Sequence, residues 1–161
     1  MSKSSALLVL AILGAALSAQ ASPALANCVP EAVASALLDK YVAAVNARDT
    51  GSFGDIHTEN YIQHSGRSPN GLAAQVENFR AIFARMPDVE ARVEDRIIQC
   101  DKIVARMTLS ATHTQPMQGI APTGRRFTLR TIDIWRVENG KLAEHWDVVD
   151  YAGLQKQLRG E

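Results

Sequence analysis

The chain has 161 residues, 47% hydrophobic and 21% charged, with 17 Lys plus Arg balancing 17 Asp plus Glu. Length and composition fit one globular domain. Balanced charge, with neither a basic stripe with interleaved aromatics nor an acidic tail, excludes a nucleic-acid-binding surface and a polyanionic arm.

The first residues are of a different kind. A short polar start with Lys3 precedes the apolar run "ALLVLAILGAAL" (6–17), and small residues follow. The run is too short for a bilayer-spanning helix and fits a secretory signal peptide, residues 1–26, ahead of a domain over 27–161. Cleavage is expected after Ala26, within "ALA" (24–26), with "AQA" (19–21) as the second site. "LANC" (25–28) also admits a lipoprotein with Cys28 acylated, although Asn27 is bulky for that site. Export places the protein in the periplasm or outside the cell, with no membrane association after cleavage. In that oxidising space the two cysteines, Cys28 and Cys100, are expected to form a disulfide.

The mature chain begins helical. "VPEAVASALLDKYVAAVNARD" (29–49) opens with Pro30 and Glu31, both favoured in a first turn, and carries Val33, Leu37, Tyr41 and Val45 on one stripe. Residues 49–56 are turn chemistry followed by a short helical or irregular piece. "YIQH" (61–64) reads as a short extended segment and "SGRSPNG" (65–71) as a loop. A second helix, 72–86, aligns Leu72, Val76, Phe79, Phe83 and Met86, and Pro87 ends it.

From residue 89 the period changes to two. Strands are predicted over 89–99, 103–115, 127–137 and 141–150, with a loop at 116–126 and a hairpin turn at 138–140. In the second of these strands Ile103, Ala105, Met107, Leu109, Ala111 and His113 share a face. Helices followed by long antiparallel strands give an α+β fold in which a curved sheet wraps helices and leaves a pocket between them.

The last predicted strand contains "EHWDVVD" (144–150), with His145 and Asp147 on one face. Their partners depend on the turn. A two-residue Asn139-Gly140 turn sets Ile134 opposite His145 and Ile132 opposite Asp147. A three-residue turn with Gly140 at a bulge sets Asp133 opposite His145 and Thr131 opposite Asp147. The second is preferred because it groups Phe127, Leu129, Trp135 and Val137 into one packing face. Thr131, Asp133, His145 and Asp147 then form a polar patch on an apolar face, which His113 and His64 could join.

"YIQH", "ATHTQPMQGIAPTGRRF" and "DIWRVENGKLAEHWDVVD" resemble the SnoaL-like polyketide cyclases of the nuclear transport factor 2-like superfamily, over roughly residues 32–157. The resemblance implies a cone-shaped barrel, with helices packed into a strongly curved, mixed but mostly antiparallel sheet. It implies that Asp147, two residues after His145 on the last strand, is the acid/base, and that Thr131 and Asp133 line the pocket. The family cyclases carry Gln and His at those last two positions and work inside the cell. Both departures concern the substrate rather than the fold.

A carboxylate enclosed by apolar groups loses hydration, which raises its pKa toward the range useful for general acid/base work. Asp147 and His145 are therefore the catalytic candidates. His64, His113, Thr131 and Asp133 are the substrate-binding candidates. The expected chemistry is proton abstraction beside a carbonyl of a small hydrophobic molecule, followed by aldol-type ring closure (as in an ester cyclase) or isomerisation. Neither step requires a cofactor or a metal, and no i,i+4 His pair or Cys cluster suggests a metal site. There is no Gly-x-Ser-x-Gly elbow or phosphate loop, and Asp101 beside Cys100 disfavours a thiolate.

Each side chain also has a structural reading. His145 with Asp133 would be a cross-strand pair, Asp147 a solvent-facing acid in the other register, and His113 a residue at the pocket rim. His57, in "GDIHTEN", is expected on the surface. Trp135 and Trp146 are packing or subunit-contact residues, in keeping with an expected homodimer. A non-catalytic small-molecule-binding module and an epoxide hydrolase-like enzyme with paired aspartates are the rival functions.

Overall fold

The computed structural model describes residues 28–161, and the expected signal peptide lies outside the described residues. Helix α1 (Glu31–Ala47) buries Ala34, Leu37, Leu38, Tyr41, Ala44 and Val45, a stripe at three- and four-residue spacing that only a helix can bring onto one face. Arg48 ends it in the left-handed conformation, where its N–H reaches back to the carbonyls of Ala44 and Val45. The one-turn helix α2 (Phe53–Ile56) leads into strand β1 (His57–Gln63). Helix α3 (Leu72–Arg85) follows the predicted loop, and its most buried residues are Gln75 and Phe79.

Four long strands come next: β2 (Glu90–Gln99), β3 (Lys102–Thr112), β4 (Arg126–Glu138) and β5 (Lys141–Val149). Together with β1 they form a curved five-stranded sheet in the order β1-β5-β4-β3-β2. Among the described strands only β1 and β5 pair in parallel, and that pairing is interrupted by a bulge between His57 and Ile62. The chain closes with helix α4 (Tyr151–Arg159), which sequence reading did not identify.

Inward-facing residues of β3 are those expected: Ile103, Ala105, Met107 and Ala111 are buried. One apolar cluster fills the space between α1, α3 and the sheet, around Leu38, Phe53, Phe79 and Trp135. A second lies under α4, around Phe127, Leu154 and Leu158. Full burial of each large apolar side chain contributes about 1.5–3 kcal/mol. Cys28 and Cys100 form the expected disulfide, which ties the chain before α1 to the β2–β3 turn across 72 residues.

The β4–β5 hairpin corrects both expected registers. The turn has two residues, Asn139 and Gly140, with φ of 51° and 75°, the geometry of a type I′ turn whose twist matches the strands it joins. Val137 faces Leu142, but Arg136 faces Glu144, because a bulge intervenes. Leu142 and Ala143 are consequently buried in succession. Beyond the bulge Trp135 faces His145, Asp133 faces Asp147 and Thr131 faces Val149. The preferred reading thus had the correct side-chain faces but the wrong partners. One bulge residue restores face parity that a two-residue turn alone would have reversed.

Candidate active site

Between the two apolar clusters lies a cavity of about 350 Å³. Phe79, Ile82 and Met86 from the α3 side, Leu109 and Leu129 from the sheet, and Leu154 from α4 form its apolar wall. Its polar wall includes Gln63, Arg67, Thr131, Asp133, His145 and Asp147. Strand alternation explains the last four. On β4 and β5 every second residue turns inward, and the bulge keeps both inward sets on one side.

These polar groups form a directed chain. Thr131 Oγ1 donates to one oxygen of Asp133. His145 Nε2 donates to the other, at 3.0 Å. The His145–Asp133 contact is diagonal across the strands, since the residue directly opposite Asp133 is Asp147. The Gln63 amide lies against His145 Nδ1, with Nε2 at 3.0 Å and Oε1 at 3.1 Å. The His145 ring also stacks on Trp135, with centroids 5.0 Å apart. Both imidazole nitrogens and one ring face are therefore held by the protein. His145 fixes the geometry of the site and has no nitrogen free for a substrate.

Asp147 is placed differently. Its side chain is 6% exposed and ion-paired with Arg67 through Oδ2. Its Oδ1 is buried without a hydrogen-bond partner. The expected polar patch on an apolar face is thus extended, because a guanidinium from the β1–α3 loop compensates the Asp147 charge. Oxygens of Asp133 and Asp147 and a nitrogen of His145 all lie within 4.8 Å of one another, and among the described residues this is the group whose spacing could hold a metal ion. The imidazole nitrogens are already committed to Asp133 and Gln63, and Arg67 occupies Asp147, so the donor set fits a hydrogen-bonded acid/base group better than a cation site.

The two other histidine candidates are elsewhere. His64 Nε2 contacts Glu144 at 2.8 Å and stacks on Trp146, with centroids 4.3 Å apart. Glu144 and Trp146 alternate with His145 and Asp147, so His64 lies on the outer side of β5. Hydrogen bonds from His64 first, and then from Arg136, hold the Glu144 carboxyl below the usual range. The residue of "YIQH" that reaches the cavity is Gln63, one position earlier than expected. His113 is buried, with Nδ1 3.0 Å from Thr123 Oγ1. It pins the β3–β4 loop, whose Met117 and Gln118 line the cavity.

His57 is not on the surface. It is fully buried, surrounded by the rings of Tyr41, Phe53 and Tyr61. Its neighbours Asp55, Glu59 and Asn60 in "GDIHTEN" are exposed, but His57 itself turns inward at the start of β1, where the strand pairs with Leu142 of β5. Burial lowers its pKa from 6.5 to about 4. Tyr41 also lines the cavity. Burial, and then the nearby Tyr61, Asp133 and Asp147, push its phenol well above the ordinary value, so it stays protonated.

Sequence reading missed Gln63, Arg67 and Gln75. Gln63 was hidden by strand parity. Arg67 sits in a Gly/Ser/Pro loop whose course is not encoded by any period. Gln75 lies one turn before Phe79 on α3 and was legible from that spacing.

The description "SnoaL-like polyketide cyclase" matches residues 35–158. The chain is 35% identical over 94 residues to aklanonic acid methyl ester cyclase AcmA of Streptomyces galilaeus, covering 57% of this chain and 62% of that one. It is 31% identical over 96 residues to nogalonic acid methyl ester cyclase of Streptomyces nogalater, covering 59% and 68%. The match therefore spans 62% of the length of AcmA. TsrD of Streptomyces laurentii superimposes with a TM-score of 0.75 at 31% identity, covering 81% of this chain and 97% of that one. AclR of Streptomyces galilaeus does so at 0.71 and 26%, covering 82% and 99%. The fold is nuclear transport factor 2-like, and with the family match covering most of its length the chain belongs to the SnoaL-like polyketide cyclases.

Proposed function

We propose that the protein is an exported, cofactor-independent enzyme that uses Asp147 as general acid/base on a small hydrophobic carbonyl compound, in an aldol-type cyclisation. The observation that carries this reading is the enclosed Asp147, with one oxygen lacking any partner, at the polar wall of an otherwise apolar cavity.

In the first step the Asp147 carboxylate takes a proton from carbon adjacent to the substrate carbonyl. The C–H electron pair becomes the enolate C=C, and the carbonyl π pair moves onto oxygen. The enolate carbon then attacks a second carbonyl of the same molecule, forming the ring bond. The resulting alkoxide takes the proton back from Asp147, so the carboxylate is regenerated and no redox change occurs. Asp133, Thr131, His145 and Gln63 hold the wall against which the substrate packs, and His145 acts as a positioning residue.

The names of the relatives supply a probe, aklanonic acid methyl ester. Purified protein should convert it, and Asp147→Asn should lower kcat by at least about a hundredfold with an unchanged melting temperature. Retained turnover in a folded Asp147→Asn variant sinks the assignment of the base. Tight binding of the ester without conversion would instead favour a binding module.

A second reading rests on a separate observation: Asp133 and Asp147 stand directly opposite each other on β4 and β5. Paired aspartates can hydrate an epoxide, one protonating the ring oxygen while the other activates water. Hydrolysis of an aryl epoxide, lost in both Asp133→Asn and Asp147→Asn, would favour it. Cyclisation of the ester with no epoxide turnover rejects it.

A further inference from the structure

Arg67 sits in the loop between β1 and α3, next to Gly66, which has φ of 68°. Its guanidinium reaches back to Asp147, and that carboxylate is its one hydrogen-bond partner among the described residues. The pair is asymmetric: the Arg67 side chain is 43% exposed and that of Asp147 is 6% exposed. Arg67 also lines the cavity, together with Ser65 and Ser68 of the same loop.

Two features indicate that this arrangement is completed by a ligand. Three cavity-lining polar atoms are buried without partners: Asp147 Oδ1, Ser68 Oγ and Gln75 Oε1. Asp147 Oδ1 and Gln75 Oε1 are acceptors, and the Ser68 hydroxyl can donate or accept, so a bound molecule with hydroxyl groups at this end would recover hydrogen bonds that the empty site forgoes. Second, Asp147 is covered on the solvent side by Arg67, so a substrate that reaches the carboxylate meets the guanidinium beside it.

The chemistry calls for a strong hydrogen-bond donor at that place, and a cation is the strongest. When a base removes a proton beside a carbonyl, negative charge appears on the carbonyl oxygen, and stabilising that charge is commonly the largest single contribution to the rate. His145 cannot serve, because both ring nitrogens are held by Asp133 and Gln63. The Thr131 hydroxyl is committed to Asp133. Arg85 also lines the cavity but ends α3, roughly 20 Å along the helix from the loop that carries Arg67.

We infer that Arg67 is a catalytic residue that exchanges partners: it holds Asp147 in the empty site and takes up the substrate carbonyl oxygen as that oxygen becomes an enolate. The exchange is electrostatically matched, since Asp147 loses its negative charge to the incoming proton at the moment the substrate oxygen gains one. The preferred substrate is accordingly amphipathic, with an apolar body against Phe79, Leu109 and Leu129 and an enolisable carbonyl at the Arg67 end. This inference rests on the proposed role of Asp147 as base, and its test is made separable from it.

The test uses a stable aryl oxyanion, 4-nitrophenolate, as a mimic of the enolate. Asp147→Asn reproduces the neutral, post-transfer state of the base and leaves Arg67 without its counter-charge. That variant should bind 4-nitrophenolate with the spectral signature of the ionised form. Adding Arg67→Gln should weaken binding by about tenfold or more, and adding Arg67→Lys should recover part of the loss. Melting temperatures of all three verify that the fold is intact, as expected for a half-exposed loop side chain. Equal affinity with and without Arg67 overturns the inference, and so does an Asp147→Asn protein that binds no phenolate. Turnover surviving in Asp147→Asn removes the base without touching this result, so the two failures are distinguishable. With aklanonic acid methyl ester, Arg67→Gln in the otherwise native chain should lower kcat by about a hundredfold or more, with a smaller change in KM.

Discussion

His57 and His145 show how differently one residue type can be used within a few ångströms of the same core. His145 has hydrogen-bond partners on both nitrogens and a tryptophan under its ring. His57 has one weak acceptor, the Phe53 carbonyl at 3.3 Å from Nδ1, and a buried Nε2 with no partner. Desolvation is the main reason its pKa falls from 6.5 to about 4. In the unfolded chain the ring is protonated below its ordinary value, whereas in the folded protein it stays neutral down to about 4. The unfolded state therefore binds the additional proton across this window, and stability falls as pH drops from about 6.5 toward 4. The full shift corresponds to about 3 kcal/mol. Urea unfolding followed across that range should show the loss, and a folded His57→Leu variant should lack most of it. An identical acid slope in both proteins would mean that other groups control the acid limb.

Among the elements, α4 has the largest unforeseen effect on the cavity. Leu154 of α4 forms part of the cavity wall, as does Tyr151 at its start. The sequence contains the parts of this helix: Asp150 as cap, Leu154 and Leu158 at i,i+4, and Gly160 beyond the end. With two apolar anchors and Gly153 inside, the segment is a weak helix in isolation, and docking onto β4 decides it. Gln157 strengthens that docking by bonding both the N–H and the carbonyl of Thr128. The cap is explicit, since Asp150 Oδ1 accepts from Gly153 N at 2.7 Å. Asp150→Ala should cost about 1 kcal/mol, read as a lower unfolding midpoint. It should also weaken binding of apolar ligands if α4 frays, whereas an unchanged midpoint would show the cap to be energetically silent.

For the molecule as a whole, the sheet supplies the frame and the disulfide anchors its N-terminal side. Cys28 precedes α1 and Cys100 occupies the β2–β3 turn with φ of 55°, so the bridge fixes α1 near the edge strand farthest from β1. Closing a 72-residue separation restricts the unfolded chain by about 4 kcal/mol in the chain-entropy picture. Reduction under native conditions, or Cys28→Ala with Cys100→Ala, should lower the melting temperature clearly. The active site should keep its arrangement, because neither cysteine contributes to the wall formed by Asp133, His145 and Asp147. Loss of ligand binding on reduction, at a temperature where the fold persists, would show instead that the bridge shapes the cavity.

The sequence by itself determined the helical first half, the alternating strands after residue 89, the disulfide partners, and the pairing of Thr131 with Asp133 and of His145 with Asp147 on one face of their own strands. All of these follow from local periodicity or from the presence of only two cysteines. Tertiary structure alone decided that the polar pairs of the two strands share one face, that Asp133 stands opposite Asp147, that Gln63 rather than His64 enters the cavity, that His57 is buried and that Arg67 reaches Asp147. A single bulge changes cross-strand partners, a parallel pairing turns one histidine of a polar segment into the core, and a glycine-containing loop takes its course from the surfaces it meets. Such features depend on contacts between residues about 80 positions apart, such as Arg67 with Asp147, and no short-range pattern records them.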